Sequence, residues 1–85
     1  MTDNVEKEII SIVADVSETD EGEINLDTNL VQNLGINSIK AIEIVVAIEK
    51  KYKISIRDED VPKITKIRQI VDLTKELIGK KAVPA

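Results

Sequence analysis

Apolar residues recur in three helical registers, separated by two stretches in which no long helical register runs. Val5, Ile9, Ile12, Val13 and Val16 fall on one face of a 3.6-residue spiral. Asp3 stands where an N-cap would, Glu6 follows as in a capping box, and the helix should end near Ser17. Residues 17–36 then turn polar and turn-rich, with Ile24, Leu26, Leu30 and Leu34 as isolated apolar pegs. A loop of that length packs or works; the leucine spacing suggests that it lies across the helices, with a short helical turn near 29–34.

The second register predicts a helix over about 38–52. Gly35 supplies a turn before it and Asn37 is a suitable N-cap. Ala41, Ile44, Val45, Ile48 and Tyr52 cover one arc, wide enough for a core face. Ile39, Ile42 and Val46 form a second stripe beside it, with Glu49 in the same row. That is more apolar surface than a small bundle needs to bury, so the second stripe is either extra core or a partly exposed docking surface. Residues 52–56 alternate like a strand, but nothing else in the chain offers a strand to pair with, which makes them an extended connector. Asp58 to about Val61 fits a short third helix cut by Pro62. Thr65 opens the last helix, whose stripe is Ile67, Ile70, Val71, Leu77 and Ile78, and Gly79 should stop it, leaving 79–85 as a frayed tail. The expected fold is all-α: a small four-helix bundle of three long helices and a short one, with a long loop between helices one and two, in one domain over 1–85.

Composition narrows the chemistry. Eighty-five residues make a single small core, and it must be aliphatic, since Phe and Trp are absent and Tyr52 is the sole aromatic. Absence of Cys removes disulfides and thiolate metal sites; absence of His removes the commonest general base. No transmembrane run or signal peptide is evident, so a cytoplasmic location is expected. The net charge of −4 is split unevenly: residues 1–35 carry nine acids and one base, residues 36–85 seven acids and eleven bases. An acidic first third and a dilute, aromatic-poor basic half argue against nucleic-acid binding.

Three candidate chemistries remain. Ser38 as a nucleophile lacks a base, and Lys40, two residues on, does not face it on a helix. The stretch SETDEGEINLDT, 17–28, invites a calcium-loop reading, yet it would need Ser17, Thr19 and Thr28 where carboxylates belong. Asp20, Glu21 and Glu23 then amount to a loose cation cloud, and no metal site is expected. Ser38 as an attachment point fits better, because a phosphodiester there would lie against free backbone N–H groups at the positive end of a helix dipole.

The segment NLGINSIKAIEIVVAIEKKYKISIRDEDVPKITKIRQIVDL, 33–73, resembles an acyl carrier protein. The family's Leu-Gly-x-Asp-Ser-Leu turn reads here as Leu34-Gly35-Ile36-Asn37-Ser38-Ile39, and with helix one in its usual place the resemblance covers nearly the whole chain. It implies a 4′-phosphopantetheine arm from coenzyme A on Ser38, with Asn37 and Gly35 beside it, carrying acyl groups as thioesters in a fatty-acid, polyketide or other specialised pathway. It also implies a carrier rather than an enzyme. The expected partners are a phosphopantetheinyl transferase and acyl-transfer and chain-elongation enzymes, met by a monomer that binds neither membrane nor nucleic acid. By analogy Ile39, Lys40, Ile42, Val46, Glu49 and Lys50 face those partners, while Ile44, Val45, Ile48, Tyr52, Ile56, Ile64 and Ile70 surround the acyl chain. Two departures stand out. Asn37 replaces the family's Asp, a carboxylate associated with magnesium during arm transfer. The usual acidic helix two is here slightly basic, Lys40, Lys50 and Lys51 against Glu43 and Glu49, with Lys63, Lys66 and Arg68 nearby; that points to dedicated partners. A peptidyl carrier fits the motif less well, a D-alanyl carrier stays open, and the competing class is an unmodified interaction domain in which Ser38 is only a cap.

Overall fold

The computed structural model describes residues 2–82, with side chains described over 4–80. In chain order it runs through α1 (Thr2–Ser17), a 3-10 turn (Glu21–Glu23), α2 (Leu30–Leu34), α3 (Ser38–Tyr52), a second 3-10 turn (Asp58–Lys63) and α4 (Ile67–Ala82). No strand occurs among the described residues; Asn29 and Lys66 form an isolated antiparallel bridge. The all-α expectation holds, with three long helices; the short α-helix is α2, where the leucine spacing suggests a helical turn near 29–34, and not the segment from Asp58 to Val61.

The core follows from the stripes. α1 packs against both α3 and α4, bringing Val5, Ile9 and Val13 against Ile44 and Ile48 of α3 and Ile67, Ile70 and Val71 of α4. Of the loop pegs, Ile24 and Leu30 are buried, and Leu26 and Leu34 pack half-buried on the same cluster. The long loop is therefore part of the core wall. Its backbone is pinned as well: Leu30 N–H donates to Thr65 O at 2.8 Å, Ile67 N–H to Thr28 O at 3.2 Å, and Arg68 N–H to Leu26 O at 2.9 Å. The last two bonds employ amides that the first turn of α4 would otherwise leave without partners.

Four boundary expectations are corrected. α1 begins at Thr2, so Asp3 lies inside its first turn and not before it. The segment after Arg57 is a 3-10 turn that continues through Pro62. Ile64 N–H bonds Val61 O at 3.1 Å, which puts Pro62 second in a four-residue turn, where its fixed φ is favoured and its missing N–H costs nothing. Thr65 does not cap α4 by accepting an amide: its hydroxyl donates to Gln69 Oε1 at 2.7 Å, and that same oxygen receives the Thr65 and Lys66 N–H groups. A long side chain inside the helix reaches back to do the capping. Gly79 does not stop α4, which runs on to Ala82, so residues 80–82 of the expected frayed tail are helical; 83–85 lie outside the described residues. A glycine ends a helix only where the chain turns left-handed there, and Gly79 does not.

Candidate functional site

The Leu34–Ile39 turn is built by two successive caps. Asn29 caps α2 by accepting Gln32 N–H at 2.8 Å, and Gly35 ends it in the left-handed conformation, φ 64° and ψ 29°. A side chain there would be strained. Ile36 N–H then closes on Leu30 O at 3.0 Å, which seats the Ile36 side chain in the core, 4% exposed. Asn37 follows in extended backbone and caps α3, its Oδ1 accepting Lys40 N–H at 2.9 Å. Ser38 is the first residue of α3, exposed to solvent, and its hydroxyl makes no hydrogen bond among the described residues. The cap is Asn37; Ser38 is free of that duty. Its hydroxyl stands at the end of α3 where the first-turn amides lack helical partners and the dipole is positive.

Beside Ser38 opens a cleft of about 570 Å³. Its walls are Leu30, Val31, Ile36, Ala41, Ile42, Val61, Pro62 and Ile64, and its only polar lining residues are Asn37, Ser38 and Asp58. Leu30, Ala41, Val61 and Ile64 also wall an inner apolar seam that reaches Ile44, Val45, Ile48, Ile56, Ile70 and Leu73. The space inside that seam is about 20 Å³, room for roughly one water. An apolar path thus leads from the serine to the centre of the bundle, closed down to a packed seam.

Of the residues assigned to an acyl pocket by resemblance, Ile44, Val45, Ile48, Ile56, Ile64 and Ile70 line this seam. Tyr52 does not: it is half-buried toward α1, and its hydroxyl donates to Glu8 Oε1 at 2.7 Å. Burial, together with that bond, pushes the Tyr52 hydroxyl well above its ordinary range. The same bond, with Lys51 Nζ 3.1 Å from Glu8 Oε2, holds the Glu8 carboxyl below its usual value. The C-terminal end of α3 is thereby tied to α1.

The residues expected to face partners divide. Ile39, Ile42 and Val46 are 69%, 56% and 38% exposed. Lys50 is exposed and Lys40 half-buried. Glu49 is half-buried, and its Oε2 accepts Ile56 N–H at 2.7 Å, holding the connector against the bundle. Sequence reasoning passed over Val31, 62% exposed beside this stripe. A helix of one turn is too short to show a periodicity, so its outward position had no sequence signal. The acidic loop gathers nothing that could hold a metal: no group of three or more carboxylates is suitably placed among the described residues.

The model of the phosphopantetheine attachment site family matches residues 7–74, most of the chain and the whole of this turn. The chain belongs to the acyl carrier protein family. Two acyl carrier proteins of Rickettsia bellii, from strains RML369-C and OSU 85-389, are 34% and 35% identical to it over 74 residues. The aligned stretch is 87% of this chain and 86% and 91% of the two relatives. This carrier's prosthetic group is accordingly 4′-phosphopantetheine. The relation also explains how a chain without Cys or His serves acyl chemistry: the arm supplies the thiol.

Proposed function

We propose that Ser38 Oγ is the oxygen to which the phosphopantetheine arm is esterified, and that the chain carries acyl groups as thioesters for enzymes that it does not itself contain. The observation that carries this reading is the division of labour at the α3 N-terminus. Asn37 does the capping, so the neighbouring hydroxyl is exposed, unengaged and free to be modified. The residues around it fit the group. Amide donors and a positive dipole end suit a phosphate, and the apolar cleft beginning at Ser38 suits the arm and the start of an acyl chain. Ile44, Val45, Ile48, Ile56, Ile64 and Ile70 would line the deeper part of the chain's path once the seam opens. Gly35 and Asn37 shape the turn that presents the serine. The partners are a phosphopantetheinyl transferase and acyl-transfer and chain-elongation enzymes, a dedicated set and not the generic fatty-acid enzymes. Carrying, not catalysis, is the whole role, exercised in the cytoplasm.

The test is intact mass after incubation with coenzyme A, magnesium and a broad-specificity phosphopantetheinyl transferase, with Ser38→Ala alongside. The parent should gain one phosphopantetheine and the variant none. A folded parent that gains nothing, and gains nothing as Asn37→Asp either, would mean that the transferase is the wrong one; failure with every transferase tried would overturn Ser38 as the attachment site. If only Asn37→Asp is modified, the serine is the site and the missing carboxylate limits the transfer.

A further inference from the structure

One wall of the inner seam is held differently from the others. Residues 57–64, which pass through the second 3-10 turn, join only one another by hydrogen bonds and ion pairs among the described residues. Asp60 N–H donates to Arg57 O at 3.0 Å and Ile64 N–H to Val61 O at 3.1 Å, while Arg57 pairs with Glu59 and Lys63 with Asp60. Yet Val61 and Ile64 line the seam. The stretch is a strap, laid on the bundle by apolar contact and anchored just beyond its two ends.

The two anchors differ in kind. At the far end Thr65 O accepts Leu30 N–H at 2.8 Å, backbone to backbone. At the near end Ile56 N–H donates to Glu49 Oε2 at 2.7 Å, so a half-buried side chain of α3 holds the chain that leads into the strap. Ile54 N–H on Glu49 O, at 3.2 Å, only closes the end of α3 itself. The opposite wall has no such freedom: α1 packs on both α3 and α4, and Glu8 ties the end of α3 to it through Tyr52 and Lys51. A seam with about 20 Å³ inside therefore widens by the strap lifting off α3, and Glu49 resists that movement.

We infer that Glu49 is the latch of the seam, a positioning residue that keeps short acyl groups outside and yields only to longer chains. The inference deepens the proposed function and rests on it for an arm at Ser38. Breaking a hydrogen bond to a charged group weighs against opening about 10- to 150-fold. Each methylene moved from water into the seam favours opening about fourfold. About two to four methylenes must then pass inside before the latch gives way.

The full chain, loaded with the arm from acetyl-, butyryl- or octanoyl-coenzyme A, tests this with two signals. Methyl shifts of Ile48, Ile70 and Leu73 report entry of the chain, and hydrogen exchange of the Ile56 amide reports the latch. Octanoyl should shift those methyls and speed Ile56 exchange at least about tenfold; acetyl and butyryl should do neither. Glu49→Ala should admit butyryl, and Glu49→Gln, which keeps an acceptor oxygen, should fall between it and the parent. Exchange of the Ile48 amide, inside α3, should stay unchanged in both variants, which separates a released strap from a loosened fold. No entry of octanoyl, equal entry of butyryl and octanoyl, or entry with Ile56 still protected overturns the inference in the parent alone. An unchanged threshold in Glu49→Ala does so as well. A chain that no transferase loads overturns the attachment at Ser38 and leaves the latch to be judged unloaded. There Glu49→Ala should speed Ile56 exchange at least about tenfold with Ile48 unmoved, and equal exchange in the two chains sinks the latch.

Discussion

The two faces of α3 carry the same kind of side chain and meet opposite fates. Ile44 and Ile48 are 1% and 0% exposed, whereas Ile39 and Ile42 on the same helix are 69% and 56% exposed. Nothing in isoleucine distinguishes them. What differs is rotation about the helix axis: one row meets α1, and the other faces solvent and the open cleft beside Ser38. Periodicity shows that two apolar stripes exist, but only the placing of α1 and α4 decides which one is core. The surplus stripe lies beside Ser38, so a cost in exposed apolar surface coincides with the proposed attachment point.

The largest expected effect tests that contrast directly. Ile48→Ala should lose about 2–5 kcal/mol of stability, the range for emptying a buried aliphatic site. Ile42→Ala should stay within about 0.5 kcal/mol, as exposed substitutions do, while weakening partner binding. Urea midpoints with an unchanged slope measure both. Similar losses for the two would mean that the outer stripe is covered in solution.

Two hydroxyls extend the comparison. Ser38 has no partner but stands in water, where the lack costs nothing. Thr74 is 0% exposed on the inner face of α4, and its Oγ1 also has no hydrogen-bond partner. A buried unsatisfied hydroxyl costs about 1–3 kcal/mol. Thr74→Val keeps the shape and removes the polar atom, so it should raise stability by about 1–2 kcal/mol. A midpoint that falls instead would show that the hydroxyl is satisfied in solution.

The caps come next in size. Asn37→Ala should cost about 1 kcal/mol, the usual value of an N-cap side chain, because it strips the acceptor from Lys40 N–H. Ser38→Ala should leave stability within about 0.5 kcal/mol, since that hydroxyl holds nothing in the fold. Equal losses at the two positions would return the capping role to Ser38 and remove the observation on which the proposed attachment rests.

How much of this was legible in the sequence depends on the range of the interaction that decides each feature. Asn37 as cap, Gly35 as turn and the limits of α3 are set within a few residues, and the sequence shows them. Ile36 and Val31 flank the same turn and go opposite ways, one into the core and one out. The turn's hydrogen bond back to Leu30 O decides between them, and a short polar loop has no period that could announce it. Glu49 sits in the outer row by spacing, yet it is drawn inward by the unpaired Ile56 amide seven residues on. Thr65 looked like a cap by residue type, but the Gln69 side chain took the position's amides. In each of these cases the residue's chemistry was readable and its partner was not.

The smallest expected effect concerns the end of α3 that is tied down. Glu8 accepts from the Tyr52 hydroxyl and pairs with Lys51, which keeps its carboxyl below the ordinary value of 4.5. A carboxyl depressed in the folded state contributes stability above its unfolded value and loses it as pH falls through the folded one. Against Glu8→Gln, the parent should therefore be the more stable near neutral pH, with the gap closing as pH drops below about 4.5. Paired urea midpoints from pH 7 to pH 3 measure the gap. The Glu8 side chain is partly solvent-exposed, so the difference should be small and should shrink further in salt. A gap that persists unchanged at pH 3 would mean that the tie from α1 to the tail of α3 depends on the shape of the side chain and not on its charge.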